Sequence, residues 1–530
     1  MLKILVSDPI SDIGLKKLLE ADDIQLDIKT DLKKEELIKI IGEYDGLLVR
    51  SQTTVSKEVL EAATSLKVIG RAGVGVDNID TKAATELGIV VLNAPDGNTI
   101  STAEHSFAML ISMARWIPQA HQDLKNGLWN RKKYVGVELN GKTLGVIGLG
   151  RIGSEVAKRA QAFNMEIIGY DPFITEERAK QLGITLGTVK EVVQKADFIT
   201  VHTPLTKETT NIIDHKEFAL MKKGVRIVNC ARGGIIREEA LLKAIEDGIV
   251  DAAAIDVYEE EPPKADNPLV NHPKVVATPH LGASTIEAQL NVAIDVAEEV
   301  YKYLKDEPFK NAVNLPSISG ETLEHVRPYI QLAEKLGKLI ANTILGAIER
   351  IEILYAGDII DKEIDILTRT VLKGILSQHL GSIGMVNDVN APTIAKGRGI
   401  EFIDSRTSKS HGYTNLITVK VKTKKEEKYV AGTLLNSYGP RIVNINGYTV
   451  DFNLNGNLLL MEHTDQPGII GEIGSLLGSE KVNIATMQVG RNEIGGNAVA
   501  FIMIDNFIDD TVIDKIKQIK GVNNIYQVEV

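Results

Sequence analysis

Cysteine is nearly absent from the sequence, which contains one thiol, Cys230, among 530 residues. A single cysteine cannot form a disulfide within the chain, so no such cross-link stabilises the fold. Scarce cysteine is typical of proteins that fold in a reducing compartment. We therefore expect a chain without disulfides that works in the cytoplasm.

Long hydrophobic runs and a surplus of positive charge are missing as well. No stretch approaches the ~18 consecutive apolar residues of a membrane-spanning helix. The short apolar run at residues 1–8 contains Lys3, which predicts a first strand and not a secretory signal. Acidic residues outnumber basic ones by 71 to 60, which gives a net charge of −11 and argues against a nucleic-acid surface. We expect neither nucleic acid nor a membrane among the partners.

The length and composition indicate several ordinary globular domains. A single core stops growing near roughly 250–300 residues, so a chain of 530 residues is expected to divide into about three or four domains. The apolar fraction of 44% and the charged fraction of 25% are typical of such domains.

The most informative pattern is a glycine-rich turn between a strand and a helix. Gly148, Gly150 and Gly153 follow an apolar run at residues 144–147 and precede a helical stretch. These glycines permit the tight turn, let the backbone approach a pyrophosphate, and let the helix pack on the strand. A second strand ends at Asp171, whose carboxylate suits a ribose 2′-hydroxyl and repels a 2′-phosphate. The pattern predicts a site for NAD.

A second glycine pattern is rejected on its context. Gly136, Gly141, Lys142 and Thr143 match the spacing of a phosphate-binding P-loop. A working P-loop lies between a strand and a helix, whose dipole faces the phosphates. Here Thr143 is followed by the strand of the dinucleotide turn, so the sequence does not predict an ATPase.

Strands alternate with helical stretches over the first 316 residues. Residues 1–97 and the part of the chain after residue 143 each repeat this alternation, which predicts parallel sheets with ligands at the carboxyl ends of strands. Proline at both ends of residues 308–316 indicates a linker. Strands and glycine-rich turns then mix in an α+β domain up to residue 450. Residues 451–530 follow the strand and helix order of a ferredoxin-like unit.

Polar residues after strands of the second predicted sheet could carry a hydride transfer. Oxidation of an alcohol by NAD needs a base for the hydroxyl proton, usually histidine, and a cation for a substrate carboxylate. His280 and Arg232 each lie directly after a predicted strand. Candidate acids that would hold the histidine are Asp256 and the glutamates at 259–261, and residue type alone does not choose among them.

Six segments together point to a known family. They are residues 50–54, 70–80, 93–99, 148–153, 229–234 and 279–285. Through them the chain resembles the D-isomer-specific 2-hydroxyacid dehydrogenases, and the resemblance extends over all 530 residues. It implies a doubly wound, Rossmann-type nucleotide domain inserted in a smaller flavodoxin-like substrate domain, followed by an α+β intervening domain and a ferredoxin-like ACT domain.

The resemblance also implies the domain boundaries. The substrate domain would be discontinuous, and two hinges would close a cleft between it and the nucleotide domain. The intervening domain would be similar to an allosteric substrate-binding domain. The expected ranges are 1–97 with 284–316 for the substrate domain, 98–283 for the NAD domain, 317–450 for the intervening domain and 451–530 for the ACT domain.

Roles for individual residues follow from the same resemblance. It implies His280 as the acid/base, Glu261 as its partner, and Arg232 as the residue that binds and polarises the 2-hydroxy acid. The implied substrate residues are Arg50, Ser51, Val74, Gly75 and Asn98, with Arg131 and Lys132 reaching from a neighbouring subunit. The implied cofactor residues are Gly148, Gly150, Arg151, Ile152, Gly153, Asp171, His202, Thr203, Pro204, Thr209, Cys230, Ala231, Arg232, Asp256, His280, Gly282 and Ala283. No metal is implied.

The C-terminal unit resembles ACT regulatory domains, which implies an amino-acid effector, L-serine, bound between paired domains of two subunits. The implied effector residues are His463, Asp465 and Asn483. Asp465 can accept a hydrogen bond from an α-ammonium, and Asn483 offers both a donor and an acceptor. Gly468 opens a predicted helix whose free N–H groups could meet a carboxylate.

The implied reaction is NAD-dependent oxidation of 3-phospho-D-glycerate to 3-phosphohydroxypyruvate by a homo-oligomer, a dimer or a tetramer, and it would open the route to L-serine. Two alternatives stay open. The same chemistry could serve another acid, such as glyoxylate, lactate or 2-hydroxyglutarate, although Arg50, the basic cluster at 131–133 and the C-terminal extension favour the phosphorylated substrate. A non-catalytic, NAD-sensing protein is disfavoured by the intact set of Arg232, Glu261 and His280.

Overall fold

The computed structural model describes residues 1–316, 320–361, 364–380, 386–410, 412–435, 438–453 and 456–529. Residue 317, the expected start of the intervening domain, and Val530, the expected end of the ACT domain, lie outside these ranges. Over the described residues the strands form four sheets. No helix in this part of the chain combines the length and apolar character needed to cross a bilayer.

The first sheet is built from the N-terminal residues. Its strands are β1 (Leu2–Val6), β2 (Ile24–Ile28), β3 (Gly46–Val49), β4 (Val68–Arg71) and β5 (Val90–Asn93). The helices between and after them are α1 (Asp12–Leu19), α2 (Lys34–Ile40), α3 (Lys57–Ala62) and α4 (Thr81–Glu86). The strands are parallel in the order β2-β1-β3-β4-β5, which is the flavodoxin-like order that was predicted.

Two helices, α5 (Thr99–Ala114) and α6 (Ile117–Lys125), lead into the second sheet. Its strands are β6 (Thr143–Ile147), β7 (Glu166–Tyr170), β8 (Thr185–Leu186), β9 (Phe198–Val201), β10 (Val225–Asn229), β11 (Val250–Ile255) and β12 (Val275–Ala277). Its helices are α7 (Arg151–Ala162), α8 (Glu176–Gln181), α9 (Val189–Lys195), α10 (His215–Phe218) and α11 (Glu238–Glu246).

The second sheet is parallel, in the order β12-β11-β10-β9-β6-β7-β8. All residues of β9 and β10 are buried, because helices cover both faces and select continuous apolar runs. The strand order reverses between β6 and β9, and ligands bind at such a switch point in open α/β sheets. The predicted Rossmann-type sheet is confirmed.

The next helix, α12 (Ile286–Leu304), returns the chain to the first sheet. Its buried face is apolar, and Val292, Val296 and Val300 share a core with Ile4 and Leu48 of the first sheet. A bridge between Leu92 and Ala312 continues this contact beyond the helix. Residues 284–316 therefore pack on the N-terminal unit, although the nucleotide-binding sheet separates them from it in the sequence.

The third sheet has the order β14-β13-β15-β16-β17-β18. Its strands are β13 (Ile348–Gly357), β14 (Glu401–Thr407), β15 (Asn415–Thr423), β16 (Glu427–Leu435), β17 (Gly439–Ile445) and β18 (Tyr448–Phe452), with helices α13 (Gly320–Thr343), α14 (Ile364–Leu380) and α15 (Ala391–Gly397). The predicted mixture of helices and strands in this unit is confirmed. Alternate residues of β13 are buried, as period two requires.

The fourth sheet is antiparallel, in the order β20-β21-β19-β22. Its strands are β19 (Asn457–Thr464), β20 (Ile484–Arg491), β21 (Asn497–Ile504) and β22 (Val522–Glu529), with helices α16 (Ile469–Ser479) and α17 (Asp510–Lys517) on one face. Leu458, Leu460 and Phe501 on the other face join the core of the third sheet. The two C-terminal units therefore share one apolar core.

Candidate active site

The glycine-rich turn joins β6 to α7, as its spacing predicts. Gly148 has a φ of +94°, and a Cβ there would lie 2.6 Å from the carbonyl oxygen of His202. A Cβ on Gly153 would lie 1.9 Å from the carbonyl oxygen of Gly148, whereas Gly150 faces open space. No side chain of these glycines therefore blocks the approach of a pyrophosphate to the backbone. The free N–H groups at the start of α7 face the same space.

Asp171 lies at the end of β7, next to this turn. Its Oδ2 accepts a hydrogen bond from the amide of Leu149 at 2.8 Å, and its Oδ1 accepts one from the amide of Phe173 at 2.8 Å. These two bonds fix the carboxylate beside the phosphate-binding turn. Each carboxylate oxygen keeps further lone pairs for a ribose hydroxyl.

A cavity of about 520 Å³ lies between the N-terminal unit and the nucleotide-binding sheet. It brings together residues from both units that the sequence analysis had placed in the cofactor and substrate sites. They are Val74, Gly75, Asn98, Arg151, Ile152, His202, Thr203, Pro204, Cys230, Ala231, Arg232, His280, Gly282 and Ala283. Val76, Asp77, Pro95, Thr102 and Leu205 complete the lining.

Several polar atoms on the wall of this cavity have no hydrogen-bond partner among the described residues. They are Oδ1 of Asn98, Nδ1 of His202 and Oγ1 of Thr203, and all three are buried. Burial also lowers the pKa of His202 to about 4, so its ring is neutral near pH 7 and can accept as well as donate. Buried polar groups are normally partnered, so these atoms fit a polar ligand such as a dinucleotide.

His280 and Glu261 form a hydrogen-bonded pair at the cavity. Nδ1 of His280 lies 2.8 Å from Oε2 of Glu261, and Oε1 of Glu261 accepts from the amide of Tyr258 at 3.0 Å. Burial would raise the pKa of Glu261, but the bonds from His280 and Tyr258 outweigh it and lower the pKa. An ionised partner at Nδ1 holds the proton there and leaves the Nε2 lone pair free to act as a base.

The structure also distinguishes among the three neighbouring glutamates by their contacts, whereas residue type alone does not. Glu259 accepts a hydrogen bond from the amide of Glu238 at 3.0 Å, and Glu260 pairs with Lys264 at 3.5 Å. Glu261 alone of the three contacts His280 in the described structure. The partner implied by the resemblance is therefore also the one in contact.

Arg232 follows β10 and lies against the backbone of the N-terminal unit. Its Nε donates to Oδ2 of Asp77 at 3.1 Å, and its Nη1 donates to the carbonyl oxygen of Ala231 at 2.7 Å. A Cβ on Gly75 would lie 1.9 Å from Nη2 of Arg232, so a side chain there would displace the guanidinium. The guanidinium is held in place yet remains part of the cavity wall.

Arg71 is a functional candidate that the sequence analysis missed. Its Nη1 lies 1.7 Å from the position of a Cβ on Gly73, and its buried Nε has no partner among the described residues. Burial, and then repulsion from Arg232 and Arg50, lower the pKa of Arg71 to about 10. Arg71 ends β4, so the rule that ligands bind at strand ends could have identified it. The surplus of cations favours an anionic ligand.

Two predicted substrate residues, Arg50 and Ser51, do not line the main cavity. The amide of Arg50 donates to Oδ2 of Asp8 at 2.6 Å, and Nδ2 of Asn78 donates to the carbonyl oxygen of Arg50 at 2.9 Å. The guanidinium donates to the carbonyl oxygen of Pro9 at 3.3 Å and borders a separate, smaller cavity. The structure fixes the backbone of this loop but does not place the Arg50 guanidinium on the wall described above.

Asp256 and Thr209 were predicted to contact the cofactor, and neither lines the cavity. Asp256 is fully buried, and its carboxylate accepts from the amides of Leu281 and Gly282 at 2.8 and 2.9 Å. Oγ1 of Thr209 donates to the carbonyl oxygen of Pro204 at 2.5 Å. Both side chains support cavity loops without lining the cavity, because their polar atoms form hydrogen bonds with the loop backbone.

Arg131 and Lys132 lie in a short 3-10 turn, Arg131–Lys133, outside the cavity. Both are exposed, and they follow an exposed apolar stretch on and after α6. The structure does not place either side chain on the cavity wall.

Among the predicted effector residues, His463 and Asp465 lie at the end of β19, whereas Asn483 precedes β20 at the other end of the sheet. His463 is 2% exposed, its Nδ1 donates to the carbonyl oxygen of Thr464 at 2.8 Å, and its buried Nε2 has no partner among the described residues. Oδ2 of Asp465 accepts from Arg491 at 2.8 Å, and this bond is the main cause that lowers the pKa of Asp465. Asn483 instead donates to Asp505 at 2.8 Å.

Comparison with known proteins gives matches along the whole chain. Residues 107–282 match the family model for the D-isomer specific 2-hydroxyacid dehydrogenase NAD binding domain. Residues 325–446 match the D-3-phosphoglycerate dehydrogenase intervening domain, and residues 457–521 match the ACT domain.

Two curated relatives are similar over nearly their full length. The D-3-phosphoglycerate dehydrogenase of Bacillus subtilis (strain 168) is 48% identical over 525 residues, covering 99% of each chain. That of Methanocaldococcus jannaschii is 47% identical over 526 residues, again covering 99% of each. Among solved structures, D-lactate dehydrogenase from Aquifex aeolicus, complexed with NAD and lactic acid, is 28% identical with a TM-score of 0.53. The match covers 59% of this chain and 100% of that one.

Proposed function

We propose that this chain, which belongs to the D-isomer specific 2-hydroxyacid dehydrogenases and among them to the D-3-phosphoglycerate dehydrogenases, oxidises 3-phospho-D-glycerate to 3-phosphohydroxypyruvate. It is an NAD-dependent oxidoreductase acting on a CH–OH group. The observation that carries the proposal is one cavity that joins the His280–Glu261 pair, Arg232 and the loops beside the dinucleotide turn. The product leads towards L-serine, and the single cysteine supports a cytoplasmic location.

The chemistry follows from the groups at the cavity. Arg232 binds the substrate carboxylate with its guanidinium and polarises the adjoining C2–OH group. His280 accepts the hydroxyl proton at Nε2, and Glu261 stabilises the imidazolium that results. Bound NAD would supply the acceptor for the hydride of C2. The residues that would hold it are those of the turn after β6, Asp171, and the loops at His202 and Cys230.

The arginine side chains near the cavity favour a phosphorylated acid as the substrate. A 2-hydroxy acid without a second anion needs one arginine for its carboxylate, and Arg232 supplies it. Arg71 adds a second guanidinium, which is close enough to Arg232 for the two positive charges to repel each other. Arg50 also repels Arg71. Two strong anionic groups on one small molecule would balance this charge.

Initial rates with a panel of 2-hydroxy acids test the reaction. NAD reduction should be fastest with 3-phospho-D-glycerate and much slower with D-glycerate, D-lactate and D-2-hydroxyglutarate. A faster rate with an unphosphorylated acid would contradict the proposed substrate while leaving the dehydrogenase chemistry intact. Tight NADH binding without turnover of any acid would instead support the NAD-sensing alternative.

Cofactor choice should depend on Asp171. Asp171→Ser removes the anion that pairs with the 2′-hydroxyl and repels a 2′-phosphate. We expect the ratio of kcat/KM for NAD to that for NADP to fall at least ~10-fold, about 1.4 kcal/mol. Glu177→Ser, on the exposed surface of α8, is the matched control and should leave the ratio unchanged. An unchanged ratio in the Asp171 variant would place the discriminating group elsewhere.

The chain is proposed to form a homo-oligomer through the segment 117–135. Trp129 is 76% exposed and Val135 is 78% exposed, and Leu124 and Leu128 nearby are exposed as well. Clustered apolar side chains of this size mark interaction surfaces in soluble proteins. Pairing through this segment would bring Arg131 and Lys132 of one subunit towards the substrate of its neighbour.

The proposed effector is L-serine, bound at the ACT unit between two subunits. The buried, unpartnered Nε2 of His463 and the N-terminus of α16 lie at the end of β19, where a carboxylate would meet free N–H groups. Asp465 would take the ammonium, and Asn483 would come from the neighbouring subunit because it lies apart within one chain. Arg491 already pairs with Asp465 and competes with the ammonium.

Inhibition by serine should depend on these side chains. Asp465→Ala or Asn483→Ala removes a charge-assisted hydrogen bond, and we expect the serine concentration for half inhibition to rise at least ~10-fold with kcat unchanged. Asp509→Ala is the control, since that exposed side chain does not cap its helix. Calorimetry that detects no serine binding to the wild-type chain at millimolar concentration would contradict the effector assignment.

A further inference from the structure

The loop that presents His280 has a backbone conformation that needs support. His280 has a φ of +55°, in the left-handed region that residues other than glycine seldom adopt. A residue other than glycine is strained in this conformation, so surrounding contacts must hold it. The position of the catalytic ring therefore depends on what fixes this loop.

Asp256 provides that support. Its carbonyl oxygen accepts from the amide of His280 at 2.9 Å. Its carboxylate accepts from the next two amides, Leu281 at 2.8 Å and Gly282 at 2.9 Å. One fully buried residue thus binds three consecutive N–H groups of the loop.

The carboxylate can act as a rigid clamp only if it is itself held and remains charged. Nε2 of His105 lies 3.2 Å from Oδ1 of Asp256, and Oγ1 of Thr278 donates to the same oxygen at 2.6 Å. Burial would raise the pKa of Asp256, but hydrogen bonds from His105 and Thr278 outweigh it and lower the pKa. His105, which lies outside the loop and its flanking strands, thus helps to orient the Asp256 carboxylate.

His105 belongs to α5, which also touches the loop one turn earlier. Oγ1 of Thr102 donates to the carbonyl oxygen of Gly282 at 3.2 Å, and the hydroxyls of Ser101 and Thr285 lie 2.7 Å apart. The helix starts directly after Asn98, a residue of the cavity wall. One face of α5 therefore supports the loop at three successive points.

A metal ion is the other use for these groups, and the structure disfavours it. Ligand atoms of His105, Cys230 and Asp256 lie within 4.8 Å of one another. The Asp256 oxygens are already occupied by amide, hydroxyl and imidazole donors. Burial and the nearby Asp256 charge also raise the pKa of the Cys230 thiol, which opposes the thiolate that a metal needs.

We propose that His105 is a positioning residue for the dehydrogenase reaction: through Asp256 it fixes the loop that holds His280 in its reactive orientation. The inference rests on the function proposed above. His105 does not line the cavity, and its contact with Asp256 is the one through which it would support the catalytic loop.

Two matched substitutions in the full-length chain test this role. Glutamine can place an amide donor where Nε2 of histidine lies, whereas asparagine is too short to reach it. We expect His105→Asn to lower kcat at least ~10-fold, the loss of about one hydrogen bond to a charged group. The dissociation constant for NADH should stay within about twofold, and His105→Gln should retain kcat within about threefold of wild type. The control His215→Asn, on the exposed surface of the same unit, should behave as wild type.

The isotope effect gives a readout that general destabilisation would not move. With substrate deuterated at C2, His105→Asn should show a larger isotope effect on kcat than wild type, because hydride transfer becomes more rate-limiting. Equal losses in both His105 variants, an unchanged kcat in His105→Asn, or a parallel loss of NADH affinity would each overturn the proposal. Activity that falls on adding a chelator to the wild type would overturn it in favour of a metal. A wild-type chain that binds NADH but reduces no NAD would instead reject the proposed function.

Discussion

Replacing His280 by alanine should lower kcat for 3-phospho-D-glycerate by about 10³-fold or more, within the range by which general-base catalysis contributes. In the proposed reaction Nε2 of the ring accepts the hydroxyl proton, and Glu261 lies 2.8 Å from the other ring nitrogen, Nδ1. The dissociation constant for NADH should stay close to the wild-type value, because the dinucleotide turn lies on different strands. Stopped-flow turnover and a fluorescence titration with NADH measure the two quantities.

The neighbouring glutamates supply a matched control for this prediction. Glu261→Gln should lower kcat, because it removes the charge that stabilises the imidazolium. Glu260→Gln should leave kcat unchanged, because Glu260 is exposed and pairs with Lys264. If His280→Ala weakened NADH binding as much as it slowed turnover, His280 would be a structural residue and the proposed base would be wrong.

Replacing Arg232 by lysine should lower kcat/KM by at least about 100-fold, although the positive charge is kept. A guanidinium can donate two parallel hydrogen bonds to a carboxylate, whereas an ammonium acts as a point charge. Lysine would also lose the bond from Nε to Asp77, which orients the side chain at 3.1 Å. Steady-state kinetics with 3-phospho-D-glycerate measure this loss.

Arg237→Lys, at the start of α11 in the same unit, is the control for a charge-conserving substitution. Arg237 pairs with Asp214 at 3.0 Å and does not line the cavity. We expect its kcat/KM to stay close to wild type. Nearly wild-type turnover in the Arg232 variant would mean that the substrate carboxylate binds another cation, and Arg71 would be the first to examine.

Much of the catalytic architecture could be predicted from the sequence. Arg232 and His280 each follow a strand of one parallel sheet, and the carboxyl ends of parallel strands meet at one edge. The glycine spacing identified the dinucleotide turn because only residues without a Cβ fit its close approaches, as at Gly153. Strand period and turn chemistry are local properties, so a single sequence carries them.

The packing of the two C-terminal units against each other was less predictable than the catalytic architecture. The sequence analysis recognised the ferredoxin-like order of the last unit from its alternating strands and helices. It did not predict that Leu458, Leu460 and Phe501 would complete the core of the preceding unit. An apolar face in a strand shows that something covers it, but it does not show which element does so.

The sequence by itself determined the NAD-binding turn, the family and the candidates His280 and Arg232 for the proposed reaction. Only the tertiary structure decided that Asp256 binds the backbone of the His280 loop, that Arg71 lies near Arg232, and that Arg50 lies against Pro9. The reason is physical. The role of a polar side chain depends on which partner its few directional hydrogen bonds reach. Packing between segments far apart in the chain sets that partner.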